Sequence, residues 1–362
     1  MRGGDLLMVG LPGKELTGET KKALTAIQPA AVLVAPANVE DVEQLVDLLA
    51  EVRGLLPEAL LATDAEGGRL DTLRDVVGPS LKPSELAAGA PSLALETGRW
   101  LGHALRLFDI DLDLAPVVDV DRGEENNALD GRYLGSDAQA VTARARAFVR
   151  GLHTAGIGAC LKHFPGLGGA TDDTHYMGSS VFLPKDAIEL DMMPFRELGE
   201  VAGAVMVGHA NYPAFDRDGL PATLSSQILQ DLLRTEVGFT GLAISDDLGM
   251  KALEDQGELG ARAEAALLAG CDLLVLTRSL EEVAAVADRL ENERFDARRE
   301  EAAERMARFR DHLRSLKVRH EQELADSGVP RGYDLEMVQE KLESLRNSAA
   351  ARGEDPAATQ EE

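Results

Sequence analysis

Short runs of apolar residues recur along the chain, each after the first followed by a longer stretch in which apolar positions return every three or four residues. The runs are 5–10 (DLLMVG), 31–35 (AVLVA), 59–64 (ALLATD), 112–119 (LDLAPVVD), 157–162 (IGACLK), 203–208 (GAVMVG), 241–246 (GLAISD) and 272–277 (DLLVLT). Near-continuous apolarity over so few residues predicts strands covered on both faces, as in parallel sheets. The stretches between them, at 39–53, 84–107, 137–155, 186–200, 225–236, 258–269 and 280–291, read as amphipathic helices. Ser225 and Ser279 stand where a helix N-cap is wanted.

Strand and helix alternating eight times predict an α/β protein, a single-domain TIM-type (β/α)8 barrel. The competing layout is an open doubly wound sheet, weakened by the lack of a Gly-rich nucleotide loop after the first run. Beyond residue 292 the pattern changes, and 296–316 and 333–347 read as charged amphipathic helices. The expected division is a barrel domain over 1–292, a C-terminal helical extension over 293–348, and a polar, disordered tail over 349–362. The extra C-terminal helices either pack on the barrel or dock a partner, packing being the commoner fate.

Bulk composition narrows the function classes. With 362 residues there is ample material for a large core, and the 4% aromatic content suits an α/β protein. A formal net charge of −26 repels phosphate backbones, which argues against nucleic acid as a partner. No stretch of 18 apolar residues is present, so no membrane span is expected. The first residues hold too short an apolar run for a signal peptide. Cys160 and Cys271, both among apolar neighbours, read as buried free thiols of a reducing compartment. These points lead to a cytoplasmic protein, and a monomer is expected.

In a barrel of this kind the chemistry gathers at the C-terminal ends of the strands. The polar residues there are Asp64 with Glu66, Asp119 with Asp121 and Arg132, Lys162 and His163, His209 with Asn211, and Asp246 with Asp247. A Gly-rich loop after the fifth run brings Asp173 and His175. One of these groups alone could serve stability; burying all of them without purpose would cost several kcal/mol each. Two chemistries fit. Glycoside cleavage needs a carboxylate at the anomeric centre, for which Asp246 is the candidate, and an acid on the leaving oxygen, for which Asp173 and His175 form an oriented pair. Metal-assisted hydrolysis could use His163, His175, His209 and Asp246, but the first strand carries no metal ligand. A Schiff-base role for Lys162 has nothing specific in its favour.

Seven segments, in order, resemble glycoside hydrolase family 3, and in particular its bacterial β-N-acetylhexosaminidase branch, the cell-wall recycling β-N-acetylglucosaminidases. They are DAEGGRL (64–70), LAPVVDVD (114–121), DGRYLGSD (130–137), KHFPG (162–166) with DTH (173–175), MVGHANYPAFD (206–216), LPATLS (220–225) and AISDDLGM (243–250). The resemblance spans residues 5 to about 290. It implies that Asp246 is the nucleophile, His175 the acid/base and Asp173 its orienting carboxylate. It further implies that Asp64, Arg132, Lys162 and His163 hold the sugar, with His209 also in the pocket. No cofactor and no metal are implied.

The implied reaction is removal of terminal non-reducing β-linked N-acetylglucosamine from peptidoglycan-derived saccharides by a retaining two-step mechanism. A β-N-acetylglucosaminide phosphorylase and an inactive sugar-binding protein are the alternatives. The chain departs from the family pattern at Leu167, at Tyr133-Leu134, at Gly208 and at Asp71-Thr72. None of these removes a proposed catalytic group, while Leu167 and Tyr133 could reshape the pocket. Plainer roles are also open: helix capping for Asp246 or, better, Asp247; barrel support for Asp119; structural or solvent-facing positions for His103, His153, His312 and His320.

Overall fold

The structure is a computed structural model and describes residues 2–123, 129, 131–174, 176–327 and 333–353. Eight parallel strands form one sheet: β1 (Leu7–Gly10), β2 (Ala31–Val34), β3 (Leu60–Thr63), β4 (Leu112–Asp113), β5 (Gly158–Phe164), β6 (Gly203–Val207), β7 (Leu242–Ser245) and β8 (Leu274–Leu276). From β1 to β7 each pairs with the next in sequence, and β8 pairs with β1 through Leu7↔Leu274 to Val9↔Leu276. A parallel bridge, Ile244↔Leu273, joins β7 to β8 and closes the ring. The fold is a TIM-type barrel.

Strand periodicity explains the continuous apolar runs. Met8, Ala204, Met206, Leu242 and Ile244 point into the barrel interior, while their neighbours Leu7, Val9, Val205 and Ala243 point out under the helices. Both faces are covered, so both alternating sets must be apolar.

Some boundaries differ from those the sequence suggests. The fourth strand is far shorter than 112–119, because Pro116 has no N–H for the ladder; beyond it only the bridge Val117↔Lys162 persists. The helix expected over 84–107 is two, Pro83–Ala88 and Pro91–Leu107, since a residue before proline is driven out of the helical region. The stretch 186–200 divides into Lys185–Asp191 and Met193–Ala202, with Pro194, which has no N–H to continue the ladder, in the first turn of the second helix. The helix Gly18–Ile27, capped by Thr17, went unread because its apolar positions are few. Ser279 caps the helix Leu280–Leu290 as expected, and Ser225 accepts from the Ile228 N–H at the start of the helix Gln227–Glu236.

The C-terminal helices pack on the barrel. Helix Asp296–Ser327 lies under it, and Met306, Phe309, Leu313 and Leu316 join the interior cluster from the N-terminal side of the strands. Two buried carboxylates hold it there. Asp272 meets Arg298 at 3.2 Å and Arg305 at 2.9 Å, and Asp111 pairs with Lys317. Helix Leu335–Gly353 packs on Pro91–Leu107. It takes residues 349–353 out of the expected tail; residues 354–362 lie outside the described residues. Both cysteines are buried and free.

Candidate active site

The strand ends of β3 and β5 bring Asp64, Glu66 and Lys162 together. A tight hairpin, Ala65–Gly67 against Leu70–Asp71, turns the chain directly after β3. It needs Gly67, whose φ is +91° and where a β-carbon would meet the Leu81 carbonyl oxygen at 2.1 Å. The hairpin drops Glu66 inward beside Asp64. Lys162 Nζ donates to Asp64 Oδ1 at 2.6 Å and also contacts Glu66 Oε1. Arg132 donates to Glu66 through two parallel bonds of 2.8 and 2.7 Å, the bidentate fork geometry.

At Glu66, Lys162 and Arg132 burial opposes charge, and the attraction within the network overcomes it. Glu66 is held well below the usual carboxylate range by Lys162 and Arg132 against the desolvation that would raise it. Lys162 is held above the usual amine value by Asp64 and Glu66, again against burial. A lysine fixed as a cation in this way is a poor amine nucleophile, which counts against the Schiff-base reading. Asp64 keeps about a third of its side chain exposed, 36%, so this end of the network faces solvent at the barrel mouth.

His163 is oriented by Asp119, a carboxylate with no exposure. The ring Nδ1–H donates to Asp119 Oδ2 at 2.8 Å. The backbone N–H groups of His163 and Leu167 donate to the same carboxylate at 3.2 and 2.6 Å. Asp119 thus fixes the imidazole and pins the start of the long loop after β5. That loop passes so close to Val120 that a β-carbon on Gly168 would lie 1.8 Å from the Val120 carbonyl oxygen.

On the far side, Asp246 ends β7. Its N–H donates to the Val207 carbonyl at 3.0 Å, and its Oδ1 accepts from the Asp247 N–H at 2.8 Å. Asp247 does the structural work: its carboxylate accepts from Gly249 N–H at 3.0 Å and from Thr277. The helix that follows, Lys251–Gln256, has Met250 at its N-cap and no side-chain capping bond, so Asp247 closes the turn before that helix rather than capping it. His209, buried, donates from Nε2 to the Asp247 carbonyl at 2.9 Å, and its Nδ1 shares a 2.7 Å bond with the Thr223 hydroxyl. Burial pushes its pKa down, while the Asp246 charge pulls it up, which puts His209 within reach of that carboxylate's field.

Asp173 lies on the loop after β5, where its carbonyl accepts from the N–H groups of Tyr176 and Met177. His175 lies outside the described residues. Among the described residues no three His, Cys, Asp or Glu side chains sit together as a metal site. The structure thus gathers Asp64, Arg132 and Lys162 in one network, His163 with Asp119, and His209 with Asp246. Glu66 and Thr223 are parts of these networks that the sequence alone leaves without a role, and Asp119, read there as barrel support, orients His163. Glu66 could have been suspected, since it stands two residues after Asp64 in the same motif and strand register points both the same way.

Residues 1–309 match the model of the glycosyl hydrolase family 3 N-terminal domain. A beta-hexosaminidase of Stenotrophomonas maltophilia is 38% identical over 283 residues, covering 75% of this chain and 83% of that protein. Among solved structures, a glycoside hydrolase family 3 beta-N-acetylglucosaminidase from Paenibacillus superposes with a TM-score of 0.83 at 28% identity, over 96% of this chain and 68% of that one. NagZ from Neisseria gonorrhoeae, in complex with N-trifluoroacetyl-D-glucosamine, gives 0.77 at 27% identity over 97% and 98%. The barrel, the charged mouth and these relatives agree: the chain belongs to glycoside hydrolase family 3 and is a glycosidase.

Proposed function

We propose that the chain releases terminal, non-reducing, β-linked N-acetylglucosamine with retention of configuration. The observation that carries this reading is the Asp64–Lys162–Glu66–Arg132 network at the mouth of a family 3 barrel that also presents Asp246. Buried, mutually neutralising charges with one exposed end suit a pocket that holds sugar hydroxyls by charge-assisted hydrogen bonds. Relatives named beta-hexosaminidase and beta-N-acetylglucosaminidase supply the identity of the sugar.

In this reading Asp64, Arg132, Lys162 and His163 bind the sugar, and His209 lies against the nucleophile side of the pocket. Asp246 attacks the anomeric carbon as the bond to the leaving oxygen breaks. His175, oriented by Asp173, gives that oxygen its proton. The same imidazole then takes a proton from water, which attacks the anomeric carbon and frees the Asp246 carboxylate. We extend the proposal to peptidoglycan-derived saccharides as substrates and to a monomer acting in the cytoplasm. Among the described residues no helix is long and apolar enough to cross a membrane.

The test is hydrolysis of a chromogenic β-N-acetylglucosaminide by wild type and by Asp246→Ala, with and without phosphate. Release by wild type in phosphate-free buffer, lost by about 10⁴-fold in the variant, is the expected result for a missing nucleophile. Product that appears as a sugar phosphate, and only with phosphate present, would assign a phosphorylase. Silence under both conditions, with binding intact by titration calorimetry, would favour the inactive sugar-binding protein.

A further inference from the structure

The chain has few aromatic residues: one Trp, four Tyr and nine Phe. All but two are buried or half-buried, and the two exceptions share one loop. Tyr176 is 70% and Phe182 73% exposed, with Met177 between them at 53%. Exposing large apolar side chains to water is unfavourable, and clustered exposure on one functional loop marks a binding surface.

This loop also carries Asp173. It is a finger with a paired base: Ala170 bridges Val181 antiparallel, and the Thr171 N–H donates to the Ser180 carbonyl. The returning strand of the finger is fixed to the segment after β6, where Val181 N–H donates to the Asn211 carbonyl at 2.8 Å and Asn211 N–H to the Ser179 carbonyl at 2.9 Å. Its tip reaches toward the segment after Asp246, since a β-carbon on Gly178 would lie 3.9 Å from the Ala252 carbonyl oxygen. The finger therefore runs from β5 past β6 toward β7, along the mouth of the barrel. Ser179 and Val181 turn inward and are buried, so Phe182 is left outward by strand alternation.

We infer that Tyr176 and Phe182 form the surface that receives the sugar on the leaving-group side of the scissile bond. The inference rests on the acid/base assignment made above. The acid must touch the oxygen linking the two sugars, so the leaving sugar lies against the acid's own loop. Tyr176 follows His175 directly, within one Cα–Cα step of about 3.8 Å. Aromatic faces suit the apolar C–H face of a pyranose ring, and the Tyr hydroxyl can add a hydrogen bond at the rim.

Tyr176→Ala, Phe182→Ala and Tyr176→Phe would be assayed on two substrates. One is the β-1,4-linked N-acetylglucosamine disaccharide, which carries a leaving sugar. The other is N-acetylglucosaminyl fluoride, which has none. Each alanine variant is expected to lose about tenfold in kcat/KM on the disaccharide and to stay within about twofold of wild type on the fluoride. Tyr176→Phe, which keeps the ring, should stay close to wild type on both. Equal loss on both substrates would make the aromatics supports of the loop and overturn the inference, and so would no loss on either. Loss of self-association on size exclusion, without a substrate split, would assign the patch to a second copy of the chain and also overturn it. Wild type inactive on both substrates would instead remove the glycosidase reading on which the inference stands.

Discussion

At the residue scale, the site depends on carboxylates that pair with cations under cover. Glu66 is the clearest case. It is buried between Lys162 and Arg132, and its removal takes away the carboxylate that both cations share. Glu66→Gln is expected to cost about 3 kcal/mol in urea unfolding, because an uncompensated buried charge is expensive. It should also lower kcat/KM on the order of a hundredfold by misplacing the sugar-holding side chains. Unchanged unfolding and unchanged kinetics would show that the pair is neutralised without Glu66. Most of this network was legible in the sequence, since charged residues at the ends of apolar runs are conspicuous. What could not be read was who pairs with whom. Glu66 stands in the quoted motif without a role, and Asp119 reads as mere support, because a partner 44 residues away in His163 leaves no mark on local pattern.

At the element scale, strand runs were read more faithfully than helix ends. A buried strand must be apolar on both faces, which leaves a strong signal over few residues. Helix boundaries turned on single prolines such as Pro91 and Pro194, and the short fourth strand on Pro116. The element whose task was least legible is Asp296–Ser327. Its sequence is dominated by charge, yet Phe309, Leu313 and Leu316 close the floor of the barrel while Arg298, Arg305 and Lys317 reach the carboxylates beside it. A helix that completes a core should be needed for folding. Phe309→Ala is expected to destabilise by about 3–5 kcal/mol, the usual cost of emptying a buried aromatic site. A chain ending at residue 295 should lose its near-ultraviolet circular dichroism. Native spectra and full activity from that shortened chain would instead make the helix a dispensable docking element.

At the scale of the whole molecule, the seam between the barrel helices and the C-terminal helix is built from histidines. Four of the chain's seven lie there, in facing pairs: His103 with His320 at 5.5 Å between ring centroids, and His153 with His312 at 5.4 Å. Nε2 of His103, His153 and His312 is buried without a hydrogen-bond partner, so each ring is suited to be neutral. Burial lowers the pKa of His103 to about 3, with His320 and Arg99 adding repulsion, and that of His153 to about 3, with His312 and Arg319 adding theirs. His312 and His320 are lowered too, first by burial; Arg319 faces His312, while Arg106, Glu321, Glu323 and the Thr154 carbonyl surround His320. In the unfolded chain these groups titrate near about 6.5. The unfolded state therefore binds more protons from there down to about pH 3, and stability must fall as pH falls through that window. Each histidine can contribute up to about 1.4 kcal/mol per pH unit.

Other groups work within the same range. Glu66 and Asp111, whose pKa values are depressed, cost stability only below about pH 4.5, where unfolded carboxylates begin to protonate. Asp113, raised well above the usual value by burial, works in the opposite direction and favours the folded state as pH falls. The histidine part is thus isolated as the difference between wild type and His153→Phe/His312→Phe, compared between about pH 7 and about pH 5. Trp100 reports the seam: it is the chain's single tryptophan, 7% exposed, with His103 5.4 Å and Tyr333 5.2 Å from it by ring centroids. Urea unfolding followed by Trp100 fluorescence should show wild type losing more stability on acidification than the double variant. Equal losses would mean that these imidazoles already carry their protons in the folded protein, and the seam would then owe its acid response to carboxylates alone.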